Sequence, residues 1–127
     1  MKYVLDTHVL IWYFTGSQRL RKNARDRIDE CLSKGGSLLI PTIVLSECLE
    51  IFEKQRVNFD FPTLYKIIKD QPEFLIIDFT EEIFEETLKV KGIHDIHDRI
   101  ITATARFYST GVITKDKVIQ SKGEVKI

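Results

Sequence analysis

The sequence predicts an α/β protein in which helices cover both faces of a parallel β-sheet. Short apolar runs lack the alternation of polar and apolar residues, which is typical of strands buried on both faces. Longer amphipathic stretches separate these runs, as helices do in a parallel sheet. The length of 127 residues suits one domain, so residues 1–127 are expected to fold around a single sheet.

Five short apolar runs are predicted to form strands. In chain order they are Tyr3–Leu5, Leu38–Ile40, Phe74–Ile77, Val112–Ile113 and Val125–Ile127. Pro41 ends the second run, and the last run is expected at an edge of the sheet.

Six amphipathic stretches are predicted to form helices. They are His8–Phe14, Leu20–Lys34, Ile43–Gln55, one that opens at Pro62, one that follows Thr80, and Asp98–Ser109. The second carries an apolar residue at every fourth position, which gives it one buried stripe. Gly16 and Gly35 are suited to helix ends, Thr42 and Thr80 to N-caps, and Pro62 to a first helical position.

The composition excludes several classes of protein. Hydrophobic residues make up 43% and charged residues 30%, which excludes a disordered chain. Lysine and arginine total 19, as do aspartate and glutamate, so the formal net charge is zero. A histone-like nucleic-acid binder would be strongly basic. An enzyme that binds RNA through one local patch remains compatible with this balance.

The sequence also predicts a cytoplasmic protein without a membrane anchor. An acid at position 6 leaves no apolar core for a signal peptide. The longest uncharged apolar stretch, SLLIPTIVLS, is shorter than the roughly 20 residues that span a bilayer. Cys31 and Cys48 are too few for a disulfide framework and are expected to be buried free thiols.

Acidic residues near the ends of predicted strands are the strongest candidates for function. Asp6 follows the first strand, Asp116 follows the fourth, and Asp98 begins the last predicted helix. Taken singly, Asp6 and Asp98 could be helix caps, and Asp116 could be a turn residue. Asp95, in a predicted loop, is weak evidence by itself. Ligands bind beyond the carboxyl ends of parallel strands, so these acids are expected at one edge.

Glu47 lies in the middle of a predicted helix, where its apolar neighbours include Ile43, Val44 and Ile51. A carboxylate on that face would be buried, and its charge would need a metal ion or an arginine beside it. The alternative is a solvated glutamate on an irregular amphipathic helix.

Together these acids predict a metal site. Four or five carboxylates that meet without a cation would repel one another. Mg²⁺ and Mn²⁺ prefer oxygen ligands, and they activate water and stabilise charge on a reacting phosphate. An all-acid site therefore indicates phosphodiester hydrolysis.

Other clusters have more ordinary interpretations. Trp12, Tyr13 and Phe14 could stack on bases or contact a partner, although such clusters more often belong to a core or a dimer contact. The basic residues between Arg19 and Arg27 could bind phosphates or form a solvated helix face. His94 and His97 are interpreted as loop or core histidines, although either could assist catalysis.

Four segments, in this order, resemble PIN-domain ribonucleases, particularly the VapC-like toxins of toxin–antitoxin modules. They are LDTHVLIWYF, LSECLE, HDIHDRIITATA and VITKD, and the resemblance covers nearly the whole chain. It matches Asp6, Glu47, Asp98 and Asp116 to the four acids of the family. Asp95 and Thr114 are possible supporting residues. Many relatives have proline where this chain has Ile96.

The resemblance implies a three-layer α/β/α fold with a five-stranded parallel sheet. It implies a Mg²⁺- or Mn²⁺-dependent endoribonuclease in which the four acids surround the metal. It further implies an RNA substrate, a homodimer, and a cognate antitoxin that covers the groove. The expected dimer contacts are Trp12–Phe14 or the helix that opens at Pro62.

Two other classes remain as alternatives. A PIN fold used only to bind RNA or protein would be expected to lack site acids, and none of the four is missing here. A receiver-like signalling domain would need a phosphoacceptor after its middle strand, where only Asp78 is available. It would also need an acidic pair after the first strand, where Asp6 stands alone.

Overall fold

The computed structural model describes residues 1–115 together with Val118 and Ile119, and the chain forms a three-layer α/β/α fold. The strands are β1 (Lys2–Leu5), β2 (Ser37–Pro41), β3 (Phe74–Ile77), β4 (Gly111–Ile113) and β5 (Val118–Ile119). The helices are α1 (Thr7–Thr15), α2 (Lys22–Ser33), α3 (Thr42–Glu53), α4 (Phe61–Asp70), α5 (Glu81–Leu88) and α6 (Ile96–Phe107).

The strands form one sheet in the order β3-β2-β1-β4-β5, with β1 at its centre. β1 pairs in parallel with β2 and with β4, and β2 pairs in parallel with β3. The carboxyl ends of these four strands therefore share one edge of the sheet. Asp6 follows β1 at that edge, and Thr114 follows β4.

β5 differs from the expected all-parallel sheet because it runs antiparallel to β4, with Val112 opposite Ile119. Only residues 114–117 join the two strands. A parallel pairing needs a crossover of a dozen or more residues, so this short connection permits only an antiparallel return. The strand predicted at Val125–Ile127 lies outside the described residues.

The central strands are buried as the apolar runs predict. Leu5, Leu38, Ile40 and Ile113 have no exposed surface or almost none, because helices cover both sides of them. β3 lies at the edge of the sheet, and its Leu75 is 42% exposed. The strands in the middle of the sheet are therefore the ones buried on both faces.

All six predicted helices are present, and their ends shift by no more than two residues. Gly16 ends α1 in the left-handed conformation, with φ 68°. The Thr80 side chain caps α5 by accepting a hydrogen bond from the Ile83 amide at 3.2 Å. These features confirm the prediction that Gly16 ends a helix and that Thr80 caps one.

Two predicted helix starts are wrong. Thr42 is the first residue of α3, and Pro41 occupies the N-cap position with no side-chain hydrogen bond. Asp98 lies within the first turn of α6, and Asp95 is the cap, since its carboxylate accepts the Asp98 amide at 3.1 Å. A carboxylate three residues before a free amide is well placed to cap it, so Asp95 starts the helix.

The structure also gives the positions of the aromatic cluster and of the two cysteines. Trp12 is only 9% exposed and packs in the core, while Tyr13 and Phe14 pack partly buried against the same core. Cys31 and Cys48 are buried free thiols, as predicted. Among the described residues, no helix combines the length and apolar character needed to cross a bilayer.

Candidate active site

A cleft of about 490 Å³ opens at the carboxyl ends of β1 and β4. Its polar lining comes from four separate parts of the chain: the start of α1, the middle of α3, the start of α6 and the residues after β4. The polar residues include Asp6, Thr7, Glu47, Asp95, Asp98, Thr114 and Lys115. The parallel sheet thus brings together most of the acids that the sequence singled out.

Asp6 serves as a helix cap and also lines the cleft. Its Oδ1 accepts a hydrogen bond from the His8 amide at 3.1 Å. Burial first, and then the charges of Asp98 and Glu47, raise the pKa of the Asp6 carboxyl from 3.8 to about 6. The His8 amide and Lys115 oppose that change. Asp6 is therefore a carboxylate whose negative charge is poorly compensated by this protein alone.

Glu47 has different partners from those expected. Its side chain is 25% exposed rather than fully buried, and neither partner is an arginine. The hydroxyl of buried Thr7 donates to Glu47 Oε1 at 2.6 Å, and His97 Nδ1 lies 3.3 Å from Oε2. The helical pattern placed Glu47 on a face with apolar neighbours, but a long side chain reaches past them to the cleft.

Asp98 and Asp95 lie at the start of α6. The pKa of the Asp98 carboxyl is raised by loss of surrounding solvent and then by the nearby Asp95 charge, while His97 and Lys115 lower it. The Asp95 side chain is 60% exposed, and it caps the helix that carries Asp98. Asp95 therefore supports Asp98 by capping the helix turn in which Asp98 lies.

The last segment of the cleft follows β4. Thr114 and Lys115 both line it, and the Lys115 charge lowers the pKa of Asp6 and of Asp98. Asp116, the fourth predicted acid, lies outside the described residues. Its role at the site remains a prediction.

Thr7 and His97 are the contacts that the sequence interpretation missed. Thr7 follows Asp6 directly, and His97 directly precedes Asp98. The sequence favours a loop or core position for His97 and leaves a role in catalysis open; His97 lies in the first turn of α6 and faces Glu47. The available signal was that each residue is next to a candidate acid in the sequence. That signal does not predict that both residues contact Glu47.

The oxygen donors of the cleft suit a hard cation. Among the described residues, no group of three or more His, Cys, Asp or Glu side chains is close enough to hold a metal ion. Mg²⁺ commonly keeps several waters and binds only one or two protein carboxylates. Asp6, repelled by Asp98 and Glu47, would gain from a nearby positive charge. The described residues therefore fit a hydrated Mg²⁺ or Mn²⁺ ion rather than a closed protein cage.

The fold and cleft define an α/β protein with a carboxylate-lined site at the ends of parallel strands. The chain matches the family model described as PIN domain over residues 3–125, so it belongs to the PIN domain family. Proteins of this family are generally nucleases. No curated protein matches the chain by sequence.

Two solved structures share the fold. One is the VapBC2 complex of Rickettsia felis, solved bound to a DNA fragment from its promoter. It has a TM-score of 0.67 and 18% identity, covering 88% of this chain and 86% of the other. The other is a toxin–antitoxin complex from Klebsiella pneumoniae. Its TM-score is 0.62 at 20% identity, covering 90% of this chain and 86% of the other.

The raised pKa of Asp6 predicts that Asp6→Asn stabilises the metal-free protein at neutral pH. The folded state binds the Asp6 proton more tightly than the unfolded chain does, so this contribution is complete below pH 3.8. It is lost as the pH rises through about 6, at a cost of about 2–3 kcal/mol. Asparagine carries no charge and still caps the helix.

Urea unfolding in EDTA, measured from pH 4 to pH 8, tests this prediction. The stability of the variant relative to the wild type should rise mainly between pH 4 and about 6, and it should stay level at higher pH. A stability difference that stays constant over this range would contradict it.

Proposed function

We propose that this protein is a Mg²⁺- or Mn²⁺-dependent endoribonuclease. The observation that carries the proposal is the Asp6 carboxylate, which lies in a cleft at the strand ends with its pKa raised by burial, Asp98 and Glu47. Membership of the PIN domain family supports nuclease chemistry at this cleft.

In this proposal Asp6 and Asp98 hold the cation, and Glu47 and Asp116 complete the site. Asp95 acts by capping α6, and Thr114 lines the same cleft. A cation held by these residues would supply the positive charge that stabilises a reacting phosphate and activates water. Lys115, exposed at the cleft, adds a second positive charge that attracts the RNA backbone.

Among the described residues that line the cleft there is no cysteine or serine, so water is the nucleophile in this proposal. Burial first, and then the Glu47 and Asp6 charges, raise the pKa of the nearby Cys48 thiol to about 12, so Cys48 stays protonated. Direct attack by water does not use the ribose 2′-hydroxyl. The products therefore end in a 5′-phosphate and a 3′-hydroxyl.

Incubation of an end-labelled RNA pool with Mg²⁺ or Mn²⁺ tests the reaction. We expect cleavage that stops in EDTA and is lost in Asp98→Asn, with no 2′,3′-cyclic phosphate in the products. Cleavage that persists in EDTA, or cyclic products, would overturn the mechanism. RNA that binds without being cut under any metal condition would instead identify a binding module.

We further propose that the protein is the toxin of a toxin–antitoxin pair in the cytoplasm. The fold similarity to two proteins solved in VapBC2 and toxin–antitoxin complexes supports this role. The first test is the neighbouring reading frame, which should encode a small DNA-binding antitoxin. Expression of this chain alone should arrest growth, and co-expression of that neighbour should restore it.

A homodimer is the expected assembly. The expected contacts are Trp12–Phe14, of which Trp12 itself is buried within the chain, or α4, where Tyr65 is 40% exposed. Sedimentation at micromolar concentration should show a species of twice 14.8 kDa. Tyr65→Ser should weaken the dimer about tenfold, because exposed tyrosines often anchor interfaces. A monomer alone at these concentrations would contradict the assembly.

A further inference from the structure

Both oxygens of the Glu47 carboxylate have a close polar neighbour. The Thr7 hydroxyl donates to Oε1 at 2.6 Å, and His97 Nδ1 lies 3.3 Å from Oε2. Thr7 belongs to α1 and is buried, so its hydroxyl has a fixed position. His97 approaches the carboxylate from α6 on its other oxygen.

His97 also lies near the residue that starts α6. Its Nδ1 is 3.9 Å from Oδ1 of Asp95, the N-cap, and the next residue in the chain is Asp98. One imidazole thus lies between a carboxylate of α3 and the helix start that carries another candidate acid. A change at His97 would alter how Glu47 and Asp98 are placed relative to each other.

These contacts leave Glu47 able to bind a cation. Each carboxylate oxygen has two lone-pair sites, so one neighbour on each oxygen leaves a site free on both. A glutamate side chain loses much rotamer freedom when it is fixed. Side chains that fix it in advance reduce the loss on metal binding.

We propose that His97 is a positioning residue that orients Glu47 for the divalent cation. The inference rests on the proposed function, since it assumes that Glu47 belongs to a metal site. His97 does not touch the ion itself; it acts through the carboxylate of Glu47 and the start of α6. Partners of this kind commonly change metal affinity by 10- to 100-fold when removed.

Mn²⁺ binding, measured by calorimetry on the purified full chain, tests the proposal. His97→Phe keeps an aromatic ring but removes the polar contact, and it should weaken Mn²⁺ binding about tenfold. His97→Asn places an amide group where Nδ1 stood, and it should recover affinity to within about threefold of the wild type. His94→Phe is the matched control, because His94 is exposed and not part of the cleft lining, and it should leave affinity unchanged.

Three results separate the possible failures. Wild-type protein that binds no Mn²⁺ would overturn the proposed function and this inference with it. Wild-type affinity in His97→Phe would overturn the inference and leave the proposed function intact. Equal losses in His97→Phe and His97→Asn, accompanied by lower urea midpoints in both, would assign His97 a merely structural role and also overturn it.

Discussion

Asp6→Asn is expected to reduce metal-dependent RNA cleavage about 1,000-fold in kcat/KM, which corresponds to about 4 kcal/mol of transition-state stabilisation. The amide preserves the size of the side chain and its role as a helix cap, but it removes the charge that faces the cation. Single-turnover cleavage of the RNA substrate at saturating Mg²⁺ measures the effect.

Asp78→Asn is the matched control for this substitution. Asp78 follows β3 and is exposed, and it is not among the residues that line the cleft. Its variant should cleave at the wild-type rate. Activity of Asp6→Asn within tenfold of the wild type would show that Asp6 is not a catalytic ligand.

The two expectations for Asp6→Asn have opposite signs, and this makes them informative together. The variant should be more stable at neutral pH while losing activity. Misfolding of the variant would instead lower both its stability and its activity. Carboxylates that are kept close together for catalysis repel one another and make the folded protein less stable.

Gly36→Ala is expected to destabilise the protein by about 3 kcal/mol. Gly36 is buried between α2 and β2, where an added Cβ would collide with the Met1 carbonyl oxygen and lie 2.7 Å from the Cys31 sulfur. Neither neighbour can easily yield. The Met1 oxygen accepts the Ser37 amide at 3.0 Å, and the Cys31 side chain is fully buried.

Gly35→Ala provides the comparison at the adjacent position. Gly35 has φ +74°, but nothing lies within 4 Å of an added Cβ, so only the backbone conformation is penalised. That substitution should cost about 1 kcal/mol. Urea midpoints measure both variants. Equal destabilisation would show that the collision at Gly36 is relieved by movement of the chain.

The sheet and helices could be predicted because burial leaves a direct pattern in the sequence. Leu38–Ile40 and Phe74–Ile77 are apolar without interruption, and both form strands. The direction of β5 could not be predicted in the same way. It depends on the length of the connection after β4, and the predicted last strand was placed further along the chain.

The acids near strand ends were recognisable because a parallel sheet aligns those ends. Asp6 lies in the cleft for this reason, whereas Asp98 reaches it from the start of α6. The contacts of Glu47 with Thr7 and His97 could not be predicted. The helical period shows on which face of the helix a residue lies, but not how far its side chain extends. The role of Asp95 as a cap depends on a shift of two residues in the start of α6.

The central strand of the sheet has consequences during protein synthesis. β1 is paired with β4, and Thr110 donates a hydrogen bond to the Lys2 carbonyl, which lies 108 residues earlier in the chain. Contacts this distant in sequence form late and slow the folding of a nascent chain. The cleft also needs Asp6, which follows β1, and the residues at the end of β4. The cleft of the proposed ribonuclease therefore forms only after the segment that carries β4 has been synthesised.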